Sequence, residues 1–245
     1  METLRNYCQE VWGLSDSSHI RWAHAANNRV EYDVARNDPN VHIIEVDVIV
    51  DGAGTAVLGH PPAKTGDPVQ GFLEEMLESE QGVKVDFKSW QAVSQVLEML
   101  NRLQLSQLVI LNADILQGNA ANAPAVPAER FIDVCQQQFP AGLLSLGWTT
   151  RRRKPYTARN VDEMLSVVAD LEEVLFPIRT SLARRSWQQL ERLIPDDKPG
   201  WGLSLWNTVS EVPRRRNIDW IVQRTDGRAV YDFMDKAKTP IVVKR

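Results

Sequence analysis

Two hydrophobic periods take turns along the chain. Residues 43–48, Ile-Ile-Glu-Val-Asp-Val, alternate with the period-two spacing of a β-strand, which sets Glu45 and Asp47 on one face and Ile44, Val46 and Val48 on the other. Residues 69–80 place Phe72, Leu73, Met76 and Leu77 on one stripe, the spacing of an amphipathic helix. The same two patterns predict strands over 20–24, 83–88, 108–112, 143–148, 174–179, 201–206 and 229–233. They predict helices over 1–14, 29–36, 90–103, 128–138, 161–173 and 186–194, and a further one that holds 219–224. Pro177 weakens the strand over 174–179, because proline has no N–H for a ladder. Eight strand-then-helix units are the count of an α/β fold of the (β/α)8 type, a single TIM-barrel domain over 1–245 in which 1–19 form a leading helix and lead-in.

Punctuation between the elements supports this division. Asn27-Asn28 is placed to cap the helix over 29–36, and Asp38-Pro39 breaks it before the Glu45 strand. Ser89 is placed to cap the helix over 90–103. Asp51-Gly52 is a hairpin signal, so the chain is expected to fold back after the Glu45 strand and return His60 to the end of it.

Composition changes this picture only at its margins. A single core is compatible with 245 residues, and a net charge of −4 argues against a general nucleic-acid binder. Cys8 and Cys135 have no metal-ligand spacing and read as ordinary thiols. The opening residues are too polar and acidic for a signal peptide, and no apolar run approaches transmembrane length, so a cytoplasmic location is expected.

The chemistry lies in the polar residues that interrupt the strands. His24, Glu45, Asp47, Asp86, Lys88, Asn112, Asp114, Trp148, Arg179, Trp206 and Asp232 all fall late in a predicted strand or just after it, where barrel active sites collect. Glu45 and Asp47 share a strand face and repel, and a divalent cation is one compensation for such a pair; structural ion pairing is the other. Residues 83–88 repeat the theme with Lys84, Asp86 and Lys88 on one face. A lone strand histidine is more often structural, and His19 and His42 read that way.

These residues carry a resemblance. His24, Glu45-Val46-Asp47, Gly59-His60 and Asp86-Phe87-Lys88 resemble the phospholipase-C-like phosphodiesterase barrels, which include the glycerophosphodiester phosphodiesterases. Trp22-Ala23-His24-Ala25-Ala26-Asn27, His60-Pro61-Pro62, residues 84–89, residues 112–116 and residues 145–150 are similar to one branch, the menorin family, also called FAM151; the likeness extends to Arg179, Trp206 and Tyr231-Asp232.

The resemblance implies that Glu45, Asp47 and Asp86 ligate one divalent cation, and an all-oxygen set suits Mg2+ or Ca2+. It implies His24 and His60 as an acid/base pair and Lys88 as the neutraliser of phosphoryl charge. Asn27, Lys84, Asn112, Asp114, Trp148, Arg179 and Trp206 are the candidate substrate-binding side chains. Simpler readings stand beside several of them: Lys84 pairs with an acid, Asn112 and Asp114 hold a loop, and Trp148 and Trp206 fill the barrel.

The basic runs at 151–154 and 214–216 read as solvated faces, or as flanks of the site that draw a phosphorylated or anionic-lipid substrate. The function expected is a metal-dependent phosphodiesterase acting on a glycerophosphodiester- or phospholipid-like substrate. The alternative is a catalytically idle barrel that serves as a protein-binding or adhesion-linked partner. No specific nucleic acid is expected, and peripheral membrane contact stays open.

Overall fold

The strands form over short apolar runs, rich in β-branched residues in β2 and β4 and in leucine and tryptophan in β6 and β8: β1 (Trp22–Ala23), β2 (Ile43–Val50), β3 (Ala56–Leu58), β4 (Gly82–Phe87), β5 (Val109–Gln117), β6 (Leu143–Thr149), β7 (Val174–Arg179), β8 (Trp201–Trp206) and β9 (Ala229–Asp232). Between them run α1 (Glu2–Glu10), α2 (Arg29–Arg36), α3 (Val69–Met76), α4 (Val93–Leu103), α5 (Ala128–Gln138), α6 (Ala158–Val167), α7 (Thr180–Leu190) and α8 (Arg215–Thr225). With β3 set aside as a hairpin partner, the chain has the eight parallel strands alternating with helices that the sequence predicts. The computed structural model describes residues 1–241 and Val243, so Val242, Lys244 and Arg245 of the expected 1–245 domain lie outside the described residues.

The chain divides into two compact units. The first comprises Trp22–Ile115 with Ala125–Leu144. Its ladder runs β1-β2-β4-β5, all parallel, and β3 lies antiparallel on β2. Parallel strands are covered on both faces, which is why β2 is buried from Ile43 to Ile49 and β4 throughout. The covering helices bury one stripe each: Phe72, Leu73 and Met76 on α3, and Val93, Val96, Leu97 and Leu100 on α4. Asn28 caps α2 by accepting the Glu31 N–H at 3.0 Å. The hairpin forms as predicted, and Asp51 organises its loop by accepting from the Ala53 and Thr55 N–H groups, each at 2.9 Å.

The second unit comprises Met1–Arg21, Leu116–Pro124 and the chain from Ser145 onward. Its ladder runs β6-β7-β8-β9, all parallel. Pro177 sits within β7, in register with Ser204. A parallel strand turns successive N–H groups to opposite neighbours, so a single proline removes one bond on one side only. At the start of β8 the Met1 side chain packs over Gly202, where an added Cβ would lie 2.2 Å from Met1 Cγ. The Met1 amine donates to the Gly200 carbonyl at 2.7 Å.

Several helix boundaries differ from the sequence expectation. The helix expected over 161–173 is α6, and it starts earlier because Thr157 and Asn160 form a reciprocal capping box. It stops at Val167, and the chain turns through 168–171 before β7. The helix expected over 186–194 starts at Thr180, since Arg179 ends β7 and caps α7 with no loop between them, and it finishes in a 3-10 turn, Glu191–Leu193. Ser89 precedes a 3-10 turn, Trp90–Ala92, without capping it; its hydroxyl donates to Gln91 instead, at 2.7 Å. Among the described residues no helix is long and apolar enough to cross a membrane.

Candidate functional site

The site follows from the register of three neighbouring strands in the first unit. Glu45 of β2 lies opposite Lys84 of β4. One step further along, Asp47, Asp86 and Asn112 line up across β2, β4 and β5. All are buried, so the polar face predicted from i, i+2 alternation is an interior one.

Burial forces these charges to find partners. Lys84 Nζ is 2.8 Å from Glu45 Oε1 and sits 5.7 Å above the Trp22 ring. His24 Nδ1 lies 2.9 Å from the other oxygen, Glu45 Oε2. Burial alone would raise the Glu45 carboxyl, but Lys84 and His24 together hold it well below the ordinary range.

A second group centres on Lys88. Its ammonium is 2.5 Å from Asp86 Oδ2 and 3.2 Å from Asp47 Oδ1. These two carboxylates, with Asp114, raise Lys88 above the ordinary lysine value despite the opposing effect of burial. Asp47 is also gripped by Asn27, whose amide donates to Oδ2 at 2.7 Å and whose carbonyl accepts the Asp47 N–H at 2.7 Å.

The carboxylates outnumber their cations. Four carboxylates, Glu45, Asp47, Asp86 and Asp114, stand against two lysines, Lys84 and Lys88, and the His24 imidazole beside Glu45. Asp47 is accordingly raised, by burial first and then by Asp86 and Glu45, against the pull of Lys88. Asp114 is pushed up to about 7, by burial and then by repulsion from Asp86 and Asp47, with Lys88 and Lys84 opposing. Asp86 Oδ1 is buried with no hydrogen-bond partner among the described residues.

An orphaned carboxylate oxygen and a surplus of carboxylates over cations fit a divalent cation, and the all-oxygen donor set of Glu45, Asp47 and Asp86 fits a hard one. Among the described residues, however, the oxygens of these three carboxylates do not all lie within 4.8 Å of one another. Lys84 and His24 hold Glu45, while Lys88 holds the other two.

The raised Asp114 carboxyl gives a pH prediction. Its neutral form is favoured by folding, so the stability it contributes is full below its ordinary value of 3.8 and is lost as pH rises through about 7. Asp114→Asn should therefore stabilise the metal-free protein by roughly 1–3 kcal/mol above neutral pH and change little in acid. Urea titrations at the two extremes check this; an equal gain at both would assign the effect to shape rather than charge.

The remaining predicted residues divide. Gly59 donates to the Asp47 carbonyl at 2.9 Å, which brings the His60 backbone to the Asp47 end of β2 as expected. Gly59 has φ +155°, and at Gly66 an added Cβ would meet the Leu58 carbonyl at 1.7 Å, so glycine is required where this loop closes on β3. The His60 ring is exposed, with Nδ1 donating to the Pro61 carbonyl at 2.7 Å.

Asn27 and Lys84, expected to bind substrate, spend their polar atoms inside the protein, one as a clamp on Asp47 and the other as the counter-ion of Glu45. Trp148 is also interior: it is 1% exposed, its indole N–H donates to the Asn160 carbonyl at 3.2 Å, and its ring meets Tyr156 edge-on. Arg179 and Trp206 end their strands together in the second unit, the guanidinium 5.6 Å from the ring centroid. Sequence reasoning did not find Glu211, which accepts from Arg179 Nε and Ser181 Oγ at 2.8 Å each and lies 3.3 Å from Arg152 Nε. It sits in a loop without periodicity, so no pattern pointed to it.

Comparison with known proteins agrees with this geometry. The Menorin N-terminal domain family matches residues 16–238. Human protein FAM151B is 31% identical over 234 residues, covering 90% of this chain and 84% of that protein. Among solved structures, a provisionally assigned glycerophosphodiester phosphodiesterase from Galdieria sulphuraria superposes with a TM-score of 0.55 at 9% identity, over 86% of this chain and 92% of that one. A second, from Silicibacter pomeroyi, gives 0.50 at 11% identity, over 87% and 90%. At these identities the structural likeness speaks for the fold alone, a (β/α)8 barrel.

Proposed function

Since the chain belongs to the menorin family, we propose from that membership and from the charge balance of β2, β4 and β5 that it is a divalent-metal-dependent phosphodiesterase with a glycerophosphodiester- or phospholipid-like substrate. The observation that carries the reading is the buried trio Glu45, Asp47 and Asp86, with Asp114 half-buried beside it, served by two lysines and His24, with one Asp86 oxygen left without a partner among the described residues.

Glu45, Asp47 and Asp86 would hold Mg2+ or Ca2+, which when bound supplies Lewis-acid charge to a phosphoryl oxygen. Lys88, ionised and at the edge of the set, neutralises charge that builds on the phosphoryl group. His24 Nδ1 lies 2.9 Å from the Glu45 carboxylate, a pairing that suits His24 to deliver a proton to the leaving oxygen. His60 donates from Nδ1 to a backbone carbonyl, so in its neutral form Nε2 is the basic nitrogen, which suits it to take a proton from the attacking hydroxyl. Asn27 keeps Asp47 in place through both ends of its amide.

One observation favours the idle-barrel alternative: the lysines and His24 already engage all three prospective ligands. A panel of phosphodiesters assayed with and without EDTA separates the two readings. Metal-dependent turnover that disappears in His24→Ala and His60→Ala, with cation binding intact, supports the enzyme. Absence of turnover on every diester, with or without added metal, removes it.

A further inference from the structure

We propose that the second unit docks on an anionic phospholipid surface through the face on which its two basic runs meet. The runs lie far apart in sequence, at 151–154 after β6 and at 214–216 at the start of α8. Glu211 brings them together: one of its oxygens is 3.3 Å from Arg152 Nε, the other is 2.8 Å from Arg179 Nε, and its loop runs directly into Arg214.

All seven side chains of the two runs are exposed. Arg152 is paired with Glu211 and Arg215 with Asp219. Arg151 reaches only the Ala120 carbonyl, at 3.3 Å, and Arg153, Lys154, Arg214 and Arg216 make no ion pair among the described residues. Five uncompensated cations therefore gather on one face of a chain whose net charge is −4. Such an asymmetry orients the molecule toward a negative surface, and each cation near an anionic leaflet contributes roughly fivefold to partitioning.

Two further features favour a lipid surface as the partner. Val209, in the same loop as Glu211, is 40% exposed, an apolar contact of the kind that enters an interface beside basic groups. In the same loop Val212, Pro213, Arg214 and Arg216, with Thr180 and Ser181, line a cavity of about 360 Å³ in which the Glu211 carboxylate, held by Arg179 and Arg152, is the one acid against the two arginines of the wall, a chemistry that accepts a phosphate headgroup. Single-stranded nucleic acid asks instead for exposed rings on which bases stack; Trp148 and Tyr156 beside the first run are buried, and Trp220 on α8 is half-buried with Arg184 and Arg224 over its ring.

The test is co-sedimentation with vesicles of phosphatidylserine and phosphatidylcholine, against vesicles of phosphatidylcholine alone. The wild-type protein should bind the first and not the second, with partitioning that falls as salt rises. Arg214→Glu/Arg216→Glu should weaken it by about tenfold or more, and Arg153→Glu/Lys154→Glu, on a separate exposed loop, should act in the same direction. Val209→Asp should also weaken binding with all the arginines in place. The proposal is overturned if wild type binds both vesicles equally, if both charge-reversed variants fold and bind as well as wild type, or if single-stranded RNA is bound in preference to the vesicles. The readout is binding, so it is independent of whether the first unit turns over a phosphodiester.

Discussion

Lys84→Met should cost about 3–5 kcal/mol of stability at neutral pH, the usual penalty for leaving a buried charge without its partner. Lys84 is 3% exposed and Glu45 2%, and their charged atoms are 2.8 Å apart, so no solvent takes over when the ammonium goes. The sign of the pH dependence follows from Glu45. Its carboxyl is held well below the ordinary value of 4.5, so its contribution is present above that value and is lost as pH falls through the depressed one. The difference between wild type and variant should accordingly be widest at neutral pH and narrow in acid. Adding Glu45→Leu should recover most of the loss, because an apolar pair of similar volume replaces a buried ion pair at little cost. Urea midpoints of the three proteins in EDTA measure this. A single variant as stable as wild type would show that Glu45 is served by another cation.

That pairing marks the line between what the sequence discloses and what it does not. Alternation along 43–48 and 83–88 is enough to place Glu45, Asp47, Lys84, Asp86 and Lys88 on strand faces, because a strand's period is fixed by its backbone. The hairpin that returns His60 was legible for a similar reason, since Asp51 carries its own turn chemistry. Which residue stands beside which across the ladder depends on register, and register is settled by packing between strands distant in sequence. The sequence thus left Lys84 open between a substrate contact and the partner of an acid, and it did not disclose that Glu45 stands beside Lys84 or Asp47 beside Asn27. Trp148 shows the same limit from the other side, since its place at the end of β6 is readable but its burial against Tyr156 is not. The early start of α7 escaped because helix boundaries are usually announced by a loop, and Arg179 leaves none.

Cation binding should change in opposite directions when the two ends of one ion pair are altered. Asp86 gives Oδ2 to Lys88, while its Oδ1 has no partner. Asp86→Asn keeps the shape and removes one of three ligand charges, so affinity for Mg2+ and Ca2+ should fall by at least about tenfold. Lys88→Met removes the ammonium that now occupies Asp86 Oδ2 and Asp47 Oδ1, which frees two ligand oxygens and raises the local negative charge. It should bind both ions more tightly than wild type, and without metal it should be less stable as pH rises. Asp47 is already raised; without Lys88 it rises further, so the stability tied to its neutral form is lost across a higher range of pH. Added Ca2+ should then restore more of the melting temperature to Lys88→Met than to wild type, by the linkage of binding to folding. Calorimetric titration of both ions into the three proteins measures the affinities directly. If wild type takes up neither ion at millimolar concentration, or if Asp86→Asn binds as well as wild type, Lys84 and Lys88 are the permanent counter-ions of this site and the binding-module reading of the barrel takes its place.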